Sequence, residues 1–283
     1  MQKLDRLGWA AGLAITAYGV RIGIRANDPN VLQQIRGNLP PAWKLASSHR
    51  VDILYSLLVG GAGPRPGVRR FNVLYANAGR VARSLDLEDV LEAFESSMRL
   101  YIAEVAPRRV FVHAGVVGWR GQALLLPGRS HSGKSTLVAA LVQAGATYYS
   151  DEYAVIDRQG RVHPYPKPLS LRDAPGGGAT RYPIETLGGR AGSRPLPIGL
   201  VLGSHYKAGA MWRPRRLSAG RGILALLAHT VSARRQPAVA FGTLRQVAAH
   251  AAMLKGVRGE AGDVAPRLLT YLEKSRHYGP VAR

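Results

Sequence analysis

Apolar positions along this chain recur at two spacings, and the changes between them mark out its elements. Tyr18, Val20, Ile22 and Ile24 alternate with Gly19, Arg21, Gly23 and Arg25. That period of two predicts a strand with one buried face over 18–25. In "NDPNVLQQIRGNLPP", Asn27 or Asp28 can cap a helix, Pro29 suits its first turn, and Pro40-Pro41 stops it. Val51, Ile53, Tyr55 and Leu57 alternate as a further strand, and "RRFNVLYANAGRVARSL" reads as two strands around an Asn77-Ala78-Gly79 turn. The period then shifts to that of a helix. Behind a capping Asp86, residues Leu87, Val90, Leu91, Phe94, Met98, Tyr101, Ile102 and Val105 make one stripe, ended by Pro107.

A second region starts near Arg108. "RVFVHAGVVGWRGQALLLPG" predicts two strands around Arg120-Gly121, and "KSTLVAALVQAGA" a short helix with Gly145 past its end. "TYYSDEYAVIDRQGRVHPYP" returns to strand and turns at Gln159-Gly160. From Asp173 to Pro195 the chain is Gly-rich with no long apolar run, which predicts a functional or unstructured loop. "PIGLVLGSHY" is a buried strand, and Ala219–Tyr278 is expected to be mostly helical, broken near Pro237 and Gly256. The expected organisation is a small α+β unit over 1–107 and an α/β unit over 108–283.

Composition narrows the function. No cysteine is present, which excludes disulfides and thiolate metal sites. The 283 residues carry a formal net charge of +22, mostly arginine. A solvated basic surface, an acidic protein or peptide partner, nucleic acid and an anionic membrane surface all fit that excess. The apolar run Leu7–Ala17 is too short for a membrane span. It flows into the alternating segment, so the expectation is folded, cytoplasmic protein with no membrane span.

The candidate chemistry lies in "PGRSHSGKST", Pro127–Thr136, which fits G-x-x-x-x-G-K-[ST]. The apolar "QALLL" precedes it and a helix-forming segment follows, the order that a phosphate loop needs. Such a strand delivers the loop, glycines let backbone N–H groups curl round phosphates, and the helix N-terminus adds its dipole. The expected nucleotide-binding residues are Gly128, Arg129, Ser130, His131, Ser132, Gly133, Lys134, Ser135 and Thr136. Lys134 reaches the outer phosphates and Ser135 is placed for magnesium. The next acids are Asp151 and Glu152, at the end of "TYYS". Parallel-sheet topology is expected to bring that strand end near the loop. Two adjacent acids can share the work, one holding magnesium and one taking a proton from the nucleophile. Neighbours on a strand face opposite ways, so both serve only if the chain turns there.

These residues together resemble the HPr kinase/phosphorylase family, bacterial protein serine kinases built on a phosphate loop. That family has a His-Gly pair, a β-hairpin, the loop, a short helix and an Asp-Asp pair. Here the order is His113 (followed by Ala114), the Val116–Leu126 hairpin, Gly128–Ser135, a helix, then Asp151-Glu152. The resemblance covers roughly Arg108 to Arg172. It implies a P-loop kinase domain of the HPr kinase C-terminal type, preceded by a small α+β domain, using ATP and Mg2+. It also implies that Lys134 binds the transferred phosphate, Ser135 and Asp151 serve the metal, Glu152 is the general base supported by Asp151, and His113 assists proton transfer. The family's downstream Leu-Glu-aliphatic-Arg-Gly corresponds to "LSLRD", which keeps Arg172 but has Ser170 for glutamate and Asp173 for glycine. The first hundred residues do not match the family's N-terminal domain, so the acceptor is expected not to be HPr.

The resulting expectation is transfer of the γ-phosphate of ATP to a hydroxyl, on a serine of a protein or peptide. Arg172, Arg181, Arg215 and Arg216 are the expected contacts to phosphate or to an acidic acceptor, and the family's habit implies a homo-oligomer. Two alternatives stay open: a kinase of a small-molecule hydroxyl, and a P-loop ATPase or nucleotide-sensing regulator with a basic nucleic-acid-binding surface. Against the last, the chain has no aromatic-plus-basic array typical of single-strand binding and no DNA-reading motif.

Overall fold

The computed structural model describes residues 2–48, 50–61, 68–128, 132–172 and 179–275. The chain forms two compact units, Met1–Arg108 and Arg109–Arg283. The first holds α1 (Gln2–Asp5), β1 (Ala11–Ala17), β2 (Val20–Ala26), α2 (Pro29–Gly37), β3 (Lys44–Leu45), β4 (Ile53–Leu58), β5 (Asn72–Ala76), β6 (Gly79–Ser84) and α3 (Leu87–Val105). Its strands make one sheet in the order β3-β1-β2-β4-β5-β6. Asp28 and Asp86 cap α2 and α3 through their carboxylates, which accept from the N–H groups of Asn30 and Glu88.

One expectation here is corrected. Residues 18–25 are not a single strand, because Tyr18 (φ 51°) and Gly19 (φ 85°) are both left-handed and turn the chain. Two consecutive positive φ values suit a tight antiparallel hairpin, so the apolar run before Tyr18 becomes β1, paired with β2 from Ala11↔Ala26 to Ala17↔Val20. The α3 stripe also carries a buried ion pair that periodicity overlooks, Arg99 Nη1 to Glu95 Oε1 at 3.1 Å.

The second unit contains β7 (Val110–Trp119), β8 (Gln122–Pro127), α4 (Lys134–Gln143), β9 (Thr147–Ser150), β10 (Tyr153–Ile156), β11 (Arg161–His163), β12 (Leu169–Arg172), β13 (Ala179–Tyr182), β14 (Leu196–Tyr206), β15 (Arg215–Arg216), α5 (Ala219–Leu227), α6 (Pro237–His250), β16 (Ala252–Arg258) and α7 (Ala261–Ser275). Its main sheet runs β11-β10-β7-β8-β14-β16-β15, with β9 also paired to β7. The strands β8, β14 and β16 are mutually parallel, while β7 is antiparallel to β8, β9 and β10. This is an α/β architecture with a mixed sheet.

Both faces of that sheet are covered, which is why its central strands read as continuous apolar runs. On one face Leu137 and Leu141 of α4 and Leu268 and Leu272 of α7 pack on Leu124, Leu126 and Leu200. On the other, Ile223 and Leu226 of α5 and Leu244 and Val247 of α6 pack on Val116, Leu125 and Val201. Among the described residues no helix is long and apolar enough to cross a membrane.

Two further expectations are corrected. The helical tail is interrupted by β16, which aligns beside β14 from Leu200↔Ala252 to Tyr206↔Arg258. "AMLKGVR" has no local period to announce it; a parallel partner some fifty residues upstream makes it a strand. The Asp173–Pro195 stretch is not wholly loose either. Ala179–Tyr182 pairs with Leu169–Arg172 as a hairpin, and Ile184–Leu187 forms a 3-10 turn anchored by buried Ile184. Residues 173–178, with the Gly176–Gly178 run, lie outside the described residues.

Candidate functional site

The site is built where β8 ends. Pro127 closes β8, Gly128 donates its N–H to His113 O (3.2 Å), and α4 begins at Lys134. Gly133 sits between them as the N-cap, at φ 79°. A side chain there would be strained, and its Cβ would lie 2.5 Å from the Arg258 guanidinium. The strand–loop–helix order expected from the pattern is therefore present around Gly128, Ser132, Gly133, Lys134, Ser135 and Thr136. Arg129, Ser130 and His131 lie outside the described residues.

The acidic pair reaches this loop by a bend. Alternation along β9 sends Tyr148 into the core under α4 and Tyr149 into the core under α5. A regular strand would send Asp151 the way of Tyr149. Instead, the Ser150 hydroxyl accepts from the N–H groups of Glu152 (3.1 Å) and Tyr153 (3.0 Å) and turns the chain. Asp151 consequently joins Tyr148. Its Oδ1 accepts from the Tyr148 hydroxyl (3.0 Å), and its Oδ2 accepts from Ser135 Oγ (3.2 Å) and the Ser170 N–H (3.1 Å). The strand end reaches the loop through β7 rather than by direct parallel pairing: β9 and β8 flank β7, with Ser150 and Leu125 both opposite Val116.

Glu152 takes a different partner. Its Oε2 accepts from Lys167 Nζ at 2.9 Å, with both side chains half-buried. Its backbone carbonyl accepts from the Ala114 N–H (3.2 Å), which keeps it beside β7. His113 faces Tyr153 across the β7–β10 pairing, with ring centroids 4.7 Å apart. The five groups His113, Lys134, Ser135, Asp151 and Glu152 are thus brought together from three elements.

Their electrostatics are coupled. Burial pushes the Lys134 ammonium below its ordinary pKa, and the Asp151 carboxylate pulls it back up. Burial also raises the Asp151 carboxyl, against hydrogen bonds from Ser170, Tyr148 and Ser135 that favour the anion. The His113 imidazole is lowered by partial burial, then by the charges of Lys134 and His229, while a hydrogen bond to the Glu152 backbone opposes the shift. Perturbed groups gathered at a strand end of this kind make a candidate functional site.

The arginines separate into two sets. Arg181 is exposed on β13, whose hairpin partner β12 supplies the Ser170 N–H to Asp151. Arg172 ends β12, and its side chain lies outside the described residues. Arg215 and Arg216 form the exposed edge strand β15 beyond β16, on the other side of β8 from the acids.

Sequence reasoning missed two residues. Lys167 is a lone lysine in "YPKP", with nothing to announce it. Arg258, only 2 % exposed, donates from Nη2 to Gly133 O (2.7 Å) and from Nη1 to Gly259 O (3.0 Å), clamping the loop from the end of β16. Its position was hidden because β16 was expected to be helix.

A magnesium ion fits the donor set. Ser135 Oγ and Asp151 Oδ2 are hard oxygen donors within hydrogen-bond reach of each other, and magnesium is typically held by one or two carboxylates together with substrate phosphates and water. Among the described residues no group of three or more His, Cys, Asp and Glu side chains gathers as a self-sufficient metal cage. No family model matches this chain, and no curated protein matches it.

Proposed function

We propose that the C-terminal unit is a phosphotransferase of the HPr kinase type, moving the γ-phosphate of ATP to the hydroxyl of a serine in a protein or peptide. The observation that carries the reading is the Ser135–Asp151 hydrogen bond at the mouth of the strand–loop–helix element, with Glu152 beside it on the same bend. A plain Gly-rich turn has no need of a half-buried carboxylate that accepts from its serine.

Residue roles follow from position. Lys134 meets the outer phosphates, and its depressed pKa makes an arriving polyanion a strong partner, because the anion restores the favoured charge. Ser135 and Asp151 would hold magnesium, which supplies neutralisation of charge on the phosphates when bound. Glu152 accepts the proton of the attacking hydroxyl after exchanging its contact with Lys167 for the acceptor. Lys167 then keeps that carboxylate oriented while the acceptor is absent. His113, neutral at pH 7 because burial and the charges of Lys134 and His229 lower its pKa, rests beside Lys134 without adding a second cation and assists the proton's passage to Glu152. Arg172 and Arg181, on the β12–β13 hairpin that touches Asp151, are on the acceptor's side.

The two acids have separable tasks, and this tests the proposal. Asp151→Asn is expected to weaken magnesium-dependent ATP binding. Glu152→Gln is expected to leave binding near normal while transfer falls roughly 100- to 10,000-fold, the usual worth of a general base. Normal transfer by Glu152→Gln with none by Asp151→Asn would exchange the two roles.

A further inference from the structure

The charge of the chain is unevenly spread. Between Thr186 and Gly259 there is no Asp or Glu, against twelve Lys and Arg. Helices α5 and α6 lie inside that stretch and cover the same face of the sheet. α5 buries Gly222, Ile223 and Leu226, and α6 buries Ala240, Thr243, Leu244 and Val247. Helical periodicity puts Arg221 and Leu224 on the opposite side of α5, and Phe241 and Arg245 on the opposite side of α6. All four are exposed, Leu224 at 68 % and Phe241 at 51 %. Arg234, in the connection between the helices, is exposed as well. Among the described residues no carboxylate pairs with Arg221, Arg234 or Arg245.

This outer side presents cations and large apolar side chains together, and both must be satisfied by its partner. A second copy of the chain would set arginine against arginine, which repels. Nucleic acid would take the arginines, but its phosphates offer a leucine nothing. An acidic protein would need a pocket for each of two apolar side chains that project from different helices. An anionic lipid surface needs no matching shape. Its headgroup phosphates take guanidinium groups, and its acyl boundary takes leucine and phenylalanine.

We propose that the outer side of the α5–α6 layer docks on an anionic membrane surface. Leu224 and Phe241 enter between the headgroups, and Arg221, Arg234 and Arg245 meet their phosphates. The attachment is peripheral, since among the described residues no helix is long and apolar enough to cross a membrane. Docking of this kind needs nothing from the phosphate loop.

Co-sedimentation of the full chain with vesicles tests it, using phosphatidylcholine alone and equal parts of phosphatidylcholine and phosphatidylglycerol. The wild type is expected to sediment with the anionic vesicles and not with the neutral ones. Arg221→Gln, Arg234→Gln and Arg245→Gln together are expected to weaken binding about fivefold per arginine, roughly 100-fold in all. Leu224→Ala with Phe241→Ala keeps every charge and is expected to weaken it about tenfold or more, as two apolar side chains are withdrawn from lipid. The replaced side chains are exposed, so melting temperatures are expected to match the wild type. If the alanine pair melts early, Phe241→Gln alone carries the same test. Failure of the wild type to bind anionic vesicles overturns the proposal. Binding that the alanine pair leaves intact also overturns it and reduces the face to a polyanion patch; a DNA duplex or polyglutamate held as tightly, and lost with the same arginines, then identifies the partner. Binding that neither set of substitutions weakens puts the contact elsewhere and overturns it too.

Discussion

On the proposed reading, Lys134 and the acids carry the chemistry at the scale of single residues. Lys134→Ala removes a point charge from the phosphates without opening the core, since the side chain is only half-buried. Transfer is expected to fall about 100-fold or more, comparable with losing one transition-state donor, with an unchanged melting temperature. Unchanged turnover would show that the loop does not serve phosphate. His113 offers a pH test. Its pKa lies below the ordinary value of 6.5, so it is neutral at pH 7 and charges only as the pH falls below that value. In the wild type, kcat/KM is therefore expected to hold through pH 7 and decline on the acid side. His113→Gln is expected to lower the plateau and flatten the decline; an unaltered pH profile would remove His113 from the proton path.

Arg258 and Asp157 do their work at the scale of elements. Arg258 ties the end of β16 to the loop, and Arg258→Met removes its hydrogen bonds to the Gly133 and Gly259 carbonyls, the first of which still accepts from the Leu137 N–H. The expected cost is about 1 kcal/mol of stability, the net worth of an intramolecular hydrogen bond, with weaker ATP binding measured beside it. Full stability and full affinity in the variant would show that the clamp is idle. Asp157, 2 % exposed, pins the β10–β11 turn. Burial alone would raise its carboxyl, but hydrogen bonds from His163 and from the Arg161 N–H and guanidinium hold it below the usual 3.8. A depressed carboxyl stabilises the fold above its unfolded pKa and loses that contribution as the pH falls through the folded value. Asp157→Asn is accordingly expected to destabilise at pH 7, with the deficit shrinking below about pH 4. Urea unfolding at both pH values checks it.

Elements also show how much of the fold was legible. Helices α2 and α3 announce themselves by caps, period and stop signals, and α4 by the loop pattern before it and Gly145 after it, because those signals are local. The strand–loop–helix site was legible for the same reason. Strand β16 was not, since its pairing with β14 is remote in sequence, and Arg258 was lost with it. The hairpin at Tyr18-Gly19 was hidden because tyrosine is a rare occupant of a left-handed turn. The turn that brings Asp151 to Ser135 depends on one serine hydroxyl, which no periodicity reports. Lys167 became visible only through its contact with Glu152.

For the molecule as a whole, the net charge of +22 bears on the partner. Arg181 stands on the hairpin beside the acids, while Arg215 and Arg216 stand on the far edge of the sheet. On the proposed reading, the first would meet an acceptor at Glu152 and the other two a remote acidic stretch of the same acceptor. Exposed pairs contribute about 0–1 kcal/mol each and are screened by salt, so several must act together. Moving from low to physiological salt is expected to raise the acceptor's KM and to change ATP affinity less. Equal sensitivity of the two would make the charge a general surface property. The measurement that tests the central claim most directly is the fate of label from γ-labelled ATP. The chain, magnesium and a heat-treated cell extract are incubated, and products are separated with wild type, Lys134→Ala and Glu152→Gln in parallel. The account predicts acid-stable label on a hydroxyl-bearing species with the wild type alone. Label released only as free phosphate, at a rate raised many-fold by DNA or RNA, would contradict it and make the protein a nucleic-acid-dependent ATPase.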